Sequence, residues 1–229
     1  MTIQLGRTLS RRLAAAIAIG LAACAMPIDF AAAQEFSATL VASGPEDIAT
    51  GAPGRVNVSG GKVRIETPEI VTGFFLVDTG ADTAYFVRPT LHTYMEARQS
   101  SVLAQIFVLL DPDDPCARWQ AMAKLSGAAA NGGAWQCERT GEETLDGRLA
   151  TTWRAVSPQQ RTYVAWIDRE LKFPLRIATN FGTSFRLTEI VQAPQPASLF
   201  RVPPNFKKFD PQGLIDRIKQ SDVWVEPVH

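Results

Sequence analysis

The chain has 229 residues, 46% of them hydrophobic, which is enough to bury one substantial core and unlike the composition of a disordered protein. Lysine plus arginine and aspartate plus glutamate stand at 23 each, so there is no global field to draw in nucleic acid or an anionic membrane. A nucleic-acid partner is not expected, and one domain is the starting assumption.

The N-terminus departs from this balance. Arg7, Arg11 and Arg12 precede the apolar run LAAAIAIGLAA from Leu13 to Ala23, the pattern of a secretory leader. The run is about half the ~20 residues that span a bilayer, and no later segment is apolar for longer. Two cleavage patterns overlap. Ala31-Ala32-Ala33 before Gln34 is a small-residue site, giving a leader over 1–33 and one domain over 34–229. Leu21-Ala22-Ala23-Cys24 resembles a bacterial lipobox, and its use would make Cys24 a lipidated tether to the outer membrane. Either cut predicts an extracytoplasmic, periplasmic location. In that oxidising compartment Cys116 and Cys137 are the remaining pair, and a disulfide between them is expected.

From Glu35 the pattern is mostly period two. Val56 and Val58 alternate with polar residues up to Gly60-Gly61, and Val63 and Ile65 do so after it, which reads as a β-hairpin. Phe74 to Val77 and Thr83 to Arg88 form a second pair of strands, with Asp78 to Asp82 between them. Pro89 then ends the second strand or confines it to an edge, and His92 reads as a half-buried strand residue beside Tyr94.

Between Glu96 and about Gly127 the periodicity becomes helical. Val102, Ile106, Leu109 and Leu110 predict one helix, and Trp119, Met122 and Leu125 a second after the DPDDP break. Asp113 or Asp114 is placed to cap the second, with Pro115 in its first turn. Helix capping accounts for Asp111, Asp113 and Asp114 more simply than a cation site.

After a loop at Asn131-Gly132-Gly133, strands are predicted at Trp135–Glu143, Arg148–Val156, Thr162–Asp168, Phe173–Ala178 and Thr183–Gln192. An extended piece at Leu199–Val202 and a polar helix from about Gln212 to Ser221 close the chain. The class is α+β: a largely antiparallel meander with helices inserted midway and at the C-terminus.

Leu76-Val77-Asp78-Thr79-Gly80-Ala81 resembles the active-site loop of a retroviral-type aspartic protease. Such an enzyme needs two carboxylates about 3 Å apart sharing one proton. A single chain then needs two such loops; this one has one, and a dimer would have to supply the other. The glycine strand that follows in those enzymes is also missing, since none of the downstream glycines has two apolar residues before it. Asp, Thr and Gly are equally the residues of a hairpin turn, which is the reading adopted. The only histidines are His92 and His229, too few for a histidine metal centre or a Ser-His-Asp triad. No G-x-S-x-G or phosphate-binding glycine loop is present. No catalytic residue, metal or cofactor is assigned, and the chain is read as a non-enzyme.

The runs Tyr163-Val164-Ala165-Trp166-Ile167-Asp168, Phe173-Pro174-Leu175-Arg176-Ile177 and Ser198-Leu199-Phe200-Arg201-Val202-Pro203-Pro204 resemble the LolA/LolB-like lipoprotein-carrier superfamily. They are closest to its small uncharacterised bacterial envelope relatives. Gly141-Glu142-Glu143-Thr144-Leu145-Asp146-Gly147 before Trp153 fits the same pattern, although the Cys116 to Cys137 segment departs from it. The resemblance implies a half-open antiparallel β-barrel with helices as a lid and an apolar groove for a lipid or lipoprotein acyl chain. Phe74, Leu76, Tyr85, Val87, Val164 and Trp166 are candidate groove residues, with core as their competing role. Three functions stay open: an acyl-chain, lipid or lipoprotein binder, an envelope interaction protein without ligand, and a dimeric aspartic protease using Asp78. The oligomeric state is not legible.

Overall fold

The computed structural model describes residues 34–44, 52–67, 73–97, 102–125, 134–210 and 213. The expected leader with Cys24 and both cleavage motifs, the loop expected at Asn131-Gly133 and, apart from Gly213, the expected C-terminal helix lie outside the described residues.

The described strands form one sheet. β1 (Glu35–Ser43), β2 (Gly54–Ser59), β3 (Lys62–Glu66), β4 (Phe74–Asp78), β5 (Thr83–Arg88) and β6 (Thr93–Glu96) make a first antiparallel meander. β7 (Gln136–Leu145), β8 (Arg148–Val156), β9 (Thr162–Asp168), β10 (Phe173–Thr179) and β11 (Ser184–Gln192) make a second. The two join where β1 pairs with β11, from Phe36 opposite Gln192 to Ser43 opposite Ser184. A two-residue β12 (Lys207–Lys208) runs parallel to β6, so the sheet order ends in β12 on one side and β7 on the other. Among the described residues, the sheet is open at both edges. The described architecture is a large, mostly antiparallel sheet with two helices inserted between β6 and β7.

Local chemistry sets these boundaries. β2 and β3 are joined by Gly60 and Gly61, whose φ angles of 54° and 88° are those a two-residue hairpin loop requires. The β7–β8 hairpin uses Asp146 and Gly147 in the same way, at 50° and 80°.

The inner face carries the main core. Phe36, Leu40, Val58, Ile65, Phe173 and Ile177 are each at most 2% exposed. They are roofed by the segment of α1 (Val102–Ile106) and α2 (Pro115–Leu125). The Phe107 ring lies 6.1 Å from Phe173 and 6.0 Å from Phe185, above the seam of the two meanders. The first helix is shorter than expected, because the Leu110 N–H donates to the Lys172 carbonyl at 2.7 Å and draws the chain out of the helical path after Ile106.

Two local expectations are corrected at the far edge. His92 is exposed and outside the strand: it follows the 3-10 turn Pro89–Leu91 at φ 50°, its N–H donating to the Pro89 carbonyl. Leu199 belongs to a second 3-10 turn, Ala197–Phe200, instead of an extended segment, because its N–H closes back on the Pro196 carbonyl at 3.0 Å.

Candidate functional site

The α1–α2 segment is fixed at three points. Asp114 caps α2 by accepting the Ala117 N–H at 3.2 Å, and Pro115 begins the helix where no donor is needed. One residue on, Cys116 is disulfide-bonded to Cys137 of the edge strand β7, with Cα atoms 5.9 Å apart. The Trp153 indole donates to the Pro112 carbonyl at 3.1 Å, and the Gln120 side chain accepts the Trp135 N–H at 2.8 Å. Trp119 then stacks on Trp135, and Trp135 on Tyr163, with centroids 5.7 and 5.4 Å apart. Burial pushes the Tyr163 phenol pKa up, while Arg161 pulls it partly back.

The turn that accepts Leu110 is itself braced. Asp168 is 1% exposed and accepts the Glu170 and Leu171 N–H groups at 2.8 and 2.7 Å, together with a bidentate approach of Arg148. The Arg148 pKa is raised, chiefly by its hydrogen bond to Asp168, with burial opposing. The Arg148–Asp168 pair therefore holds the β9–β10 turn in the shape that meets the α1–α2 segment.

Beside that turn opens a cleft of about 420 Å³, within the roughly 300–1,000 Å³ typical of small-molecule sites. Leu109, Leu110, Ala117 and Ala121 give it apolar walls, and Arg118 and Lys172 stand on it with Asp111 and Asp114. Both carboxylates serve the backbone: Asp111 accepts the Asp113 N–H at 2.9 Å, and Asp114 is the helix cap. Asp114 thus takes the N-cap role, and Asp111 braces the corner before the helix.

The six candidate groove residues alternate with core residues along their strands and fall in two separate places. Phe74, Leu76 and Val87 are buried together with Tyr85, Tyr94, Val202 and Phe206, under the chain segment that follows β11. The Arg64 guanidinium lies 3.4 Å over the Phe74 ring. Trp166 stands on the other meander, its indole donating to Glu143 at 2.5 Å and its ring covered by Arg176 at 4.6 Å. Val164 is half-buried on the same strand.

Asp78 closes the β4–β5 turn. One carboxylate oxygen accepts the Gly80 and Ala81 N–H groups at 3.0 Å each, and the other lies 3.7 Å from Lys62. Its neighbour Thr79 is tied through both its N–H and its hydroxyl to the Gly61 carbonyl.

Sequence reasoning did not single out Arg118, Lys172, Ala117 or Ala121. The helical spacing of Leu109 and Leu110 was the available signal near them. The Arg148–Asp168 pair was also missed; only Asp168 stood in a quoted motif.

No family model matches the chain, and no curated protein matches it. Solved structures do. PNGF-II is similar over 82% of this chain at 10% identity and a TM-score of 0.50; the chain spans 33% of PNGF-II, about a third of its length. An uncharacterized conserved protein from Thermus thermophilus is similar over 77% of this chain and 90% of its own, at 13% identity and a TM-score of 0.47. The LolA superfamily protein NE2245 from Nitrosomonas europaea is similar over 74% of this chain and 90% of its own, at 9% identity and a TM-score of 0.31. At 10% identity the likeness to PNGF-II is one of fold alone.

Proposed function

We propose that this protein is a non-enzymatic component of the bacterial envelope that binds an acyl chain, of a lipid or a lipoprotein, beneath the α1–α2 segment. The observation that carries the reading is the relation of that segment to the sheet. An inner face that is mostly apolar is roofed by two short helices, and burial, which is non-directional, supplies most of the adhesion between them. A surface of this kind accepts a hydrocarbon chain in place of a side chain at little cost in specific bonds, gaining about 0.8 kcal/mol for each methylene buried. The cleft lined by Leu109 and Leu110 gives such a chain a point of entry.

The sequence resemblance to lipoprotein carriers supports the same reading. The leader over 1–33 and the Cys116–Cys137 bond support a periplasmic location, with an outer-membrane tether through Cys24 if the lipobox is used.

A second reading has its own observation. Phe107 and Trp119 already fill the roofed space, at 0% and 2% exposure, which suits an envelope interaction protein whose groove needs no ligand. Native mass spectrometry of the protein recovered from a bacterial envelope, with and without reductant, separates the two. An added mass that dissociates as lipid supports the first; a bare protein from every preparation overturns it in favour of the second.

A further inference from the structure

The cleft beside the β9–β10 turn carries chemistry beyond an apolar entry. Its polar groups divide into those already engaged and those that are not. Asp111 and Asp114 are engaged by backbone N–H groups of the corner and helix they cap. Gln34 donates its side-chain amide to the Glu170 carbonyl at 3.2 Å. Arg118 and Lys172 also line the cleft, and among the described residues neither lies within 4.0 Å of a carboxylate. Two free cations thus face the same space as Leu109, Leu110, Ala117 and Ala121.

We infer that this cleft binds the carboxylate of a single-chain fatty acid, with Arg118 and Lys172 on the head group and the leucine and alanine walls on the first methylenes. The inference rests on the acyl-chain reading above and narrows it to a ligand class. Arginine offers a planar fork of donors that matches the two oxygens of a carboxylate, and lysine adds a point charge. Charge decides between an acid and a phosphate head. Two cations beside two carboxylates leave the cleft without the excess positive charge that a doubly charged head would need, so a head with one negative charge suits it better. A volume of about 420 Å³ also suits one chain better than two.

The test is a calorimetric titration of the full chain, freed of its leader by its own host, with dodecanoic acid, methyl dodecanoate and dodecyl phosphate. The parent protein is compared with an Arg118→Gln, Lys172→Gln double variant, and circular dichroism shows that both are folded. The expected result is that the acid binds about ten-fold tighter than the ester, equivalent to ~1.4 kcal/mol, and that the double variant removes this difference while still binding the ester. Equal binding of acid and ester by the parent overturns the head-group assignment and leaves the acyl-chain reading standing. Tighter binding of the phosphate overturns the choice of carboxylate. No binding of any of the three overturns the acyl-chain reading itself.

Discussion

The carbonyl of Lys172 accepts the backbone N–H of Leu110 at 2.7 Å, so the turn between β9 and β10 holds the chain just after α1 in place. That turn keeps its shape through Asp168, which gathers two backbone N–H groups and Arg148 around a buried carboxylate.

Replacing Arg148 with Ala leaves that carboxylate without its counter-charge. Breaking a buried pair by removing one partner costs roughly 3–5 kcal/mol. Urea denaturation should show a loss toward the lower end of that range, because the Glu170 and Leu171 N–H groups still bind Asp168. A change below experimental error would mean that the pair does not hold the turn.

Reduction of the Cys116–Cys137 bond frees α2 from the sheet edge. The bond closes a loop with a sequence separation of 21, for which the chain-entropy model gives about 3 kcal/mol. The melting temperature should fall on addition of reductant. The emission of Trp119 and Trp135, stacked on either side of the bond's two elements, should shift at denaturant concentrations that leave the oxidised protein unchanged.

At Asp78 the two side-chain substitutions should differ. Asp78→Ala removes the acceptor of two turn N–H groups and should cost about 1 kcal/mol. Asp78→Asn keeps an acceptor and should cost less, as measured by thermal denaturation of both variants.

Truncating Phe107 tests the space beneath the α1–α2 segment. Phe107→Ala should destabilise the ligand-free protein by roughly 3–5 kcal/mol, the usual loss for a buried aromatic. If an acyl chain shares that space, part of the loss returns when fatty acid is added, and the melting temperature of the variant rises more than that of the parent.

Burial raises the Tyr163 pKa above its unfolded value of about 10. Its contribution is present in full below the unfolded pKa and is lost as pH rises through the folded one, because ionisation then favours the unfolded chain. Stability should therefore fall at pH values above about 10, and Tyr163→Phe should flatten that decline in denaturation curves collected along the alkaline limb.

Much of the sheet was legible because period-two alternation and turn chemistry coincide in it. Arg148–Val156 and Thr162–Asp168 match β8 and β9 end to end, and Gly60-Gly61 and Asp146-Gly147 mark the β2–β3 and β7–β8 hairpins. The α1 boundary was not legible, since Leu109 and Leu110 are apolar for a different reason: they line a cleft and a core while extended. β12 was equally hidden. Its two lysines carry no alternation, and their pairing depends on where His92 and Tyr94 present carbonyls. The cleft itself joins a helix residue to a distant turn residue, Arg118 to Lys172, and only the tertiary fold brings them to one rim. Alternation likewise shows that Phe74 and Phe75 point oppositely, but not which side the helices cover.

The seam between β1 and β11 sets an order of events for the newly made chain. β1 is the first strand, and its partner at Phe36 is Gln192, near the end of the described sequence. Until that late segment emerges, one flank of β1 has no native partner, and the first meander presents a bare row of backbone donors and acceptors to any strand it meets. Joining such distant segments requires closure of a very long loop, so the final assembly of the sheet is a slow step with high contact order. A chain interrupted before Gln192 is therefore the form most prone to pairing with other molecules, and a chaperone acting on this protein would be needed for the interval between synthesis of β1 and arrival of β11.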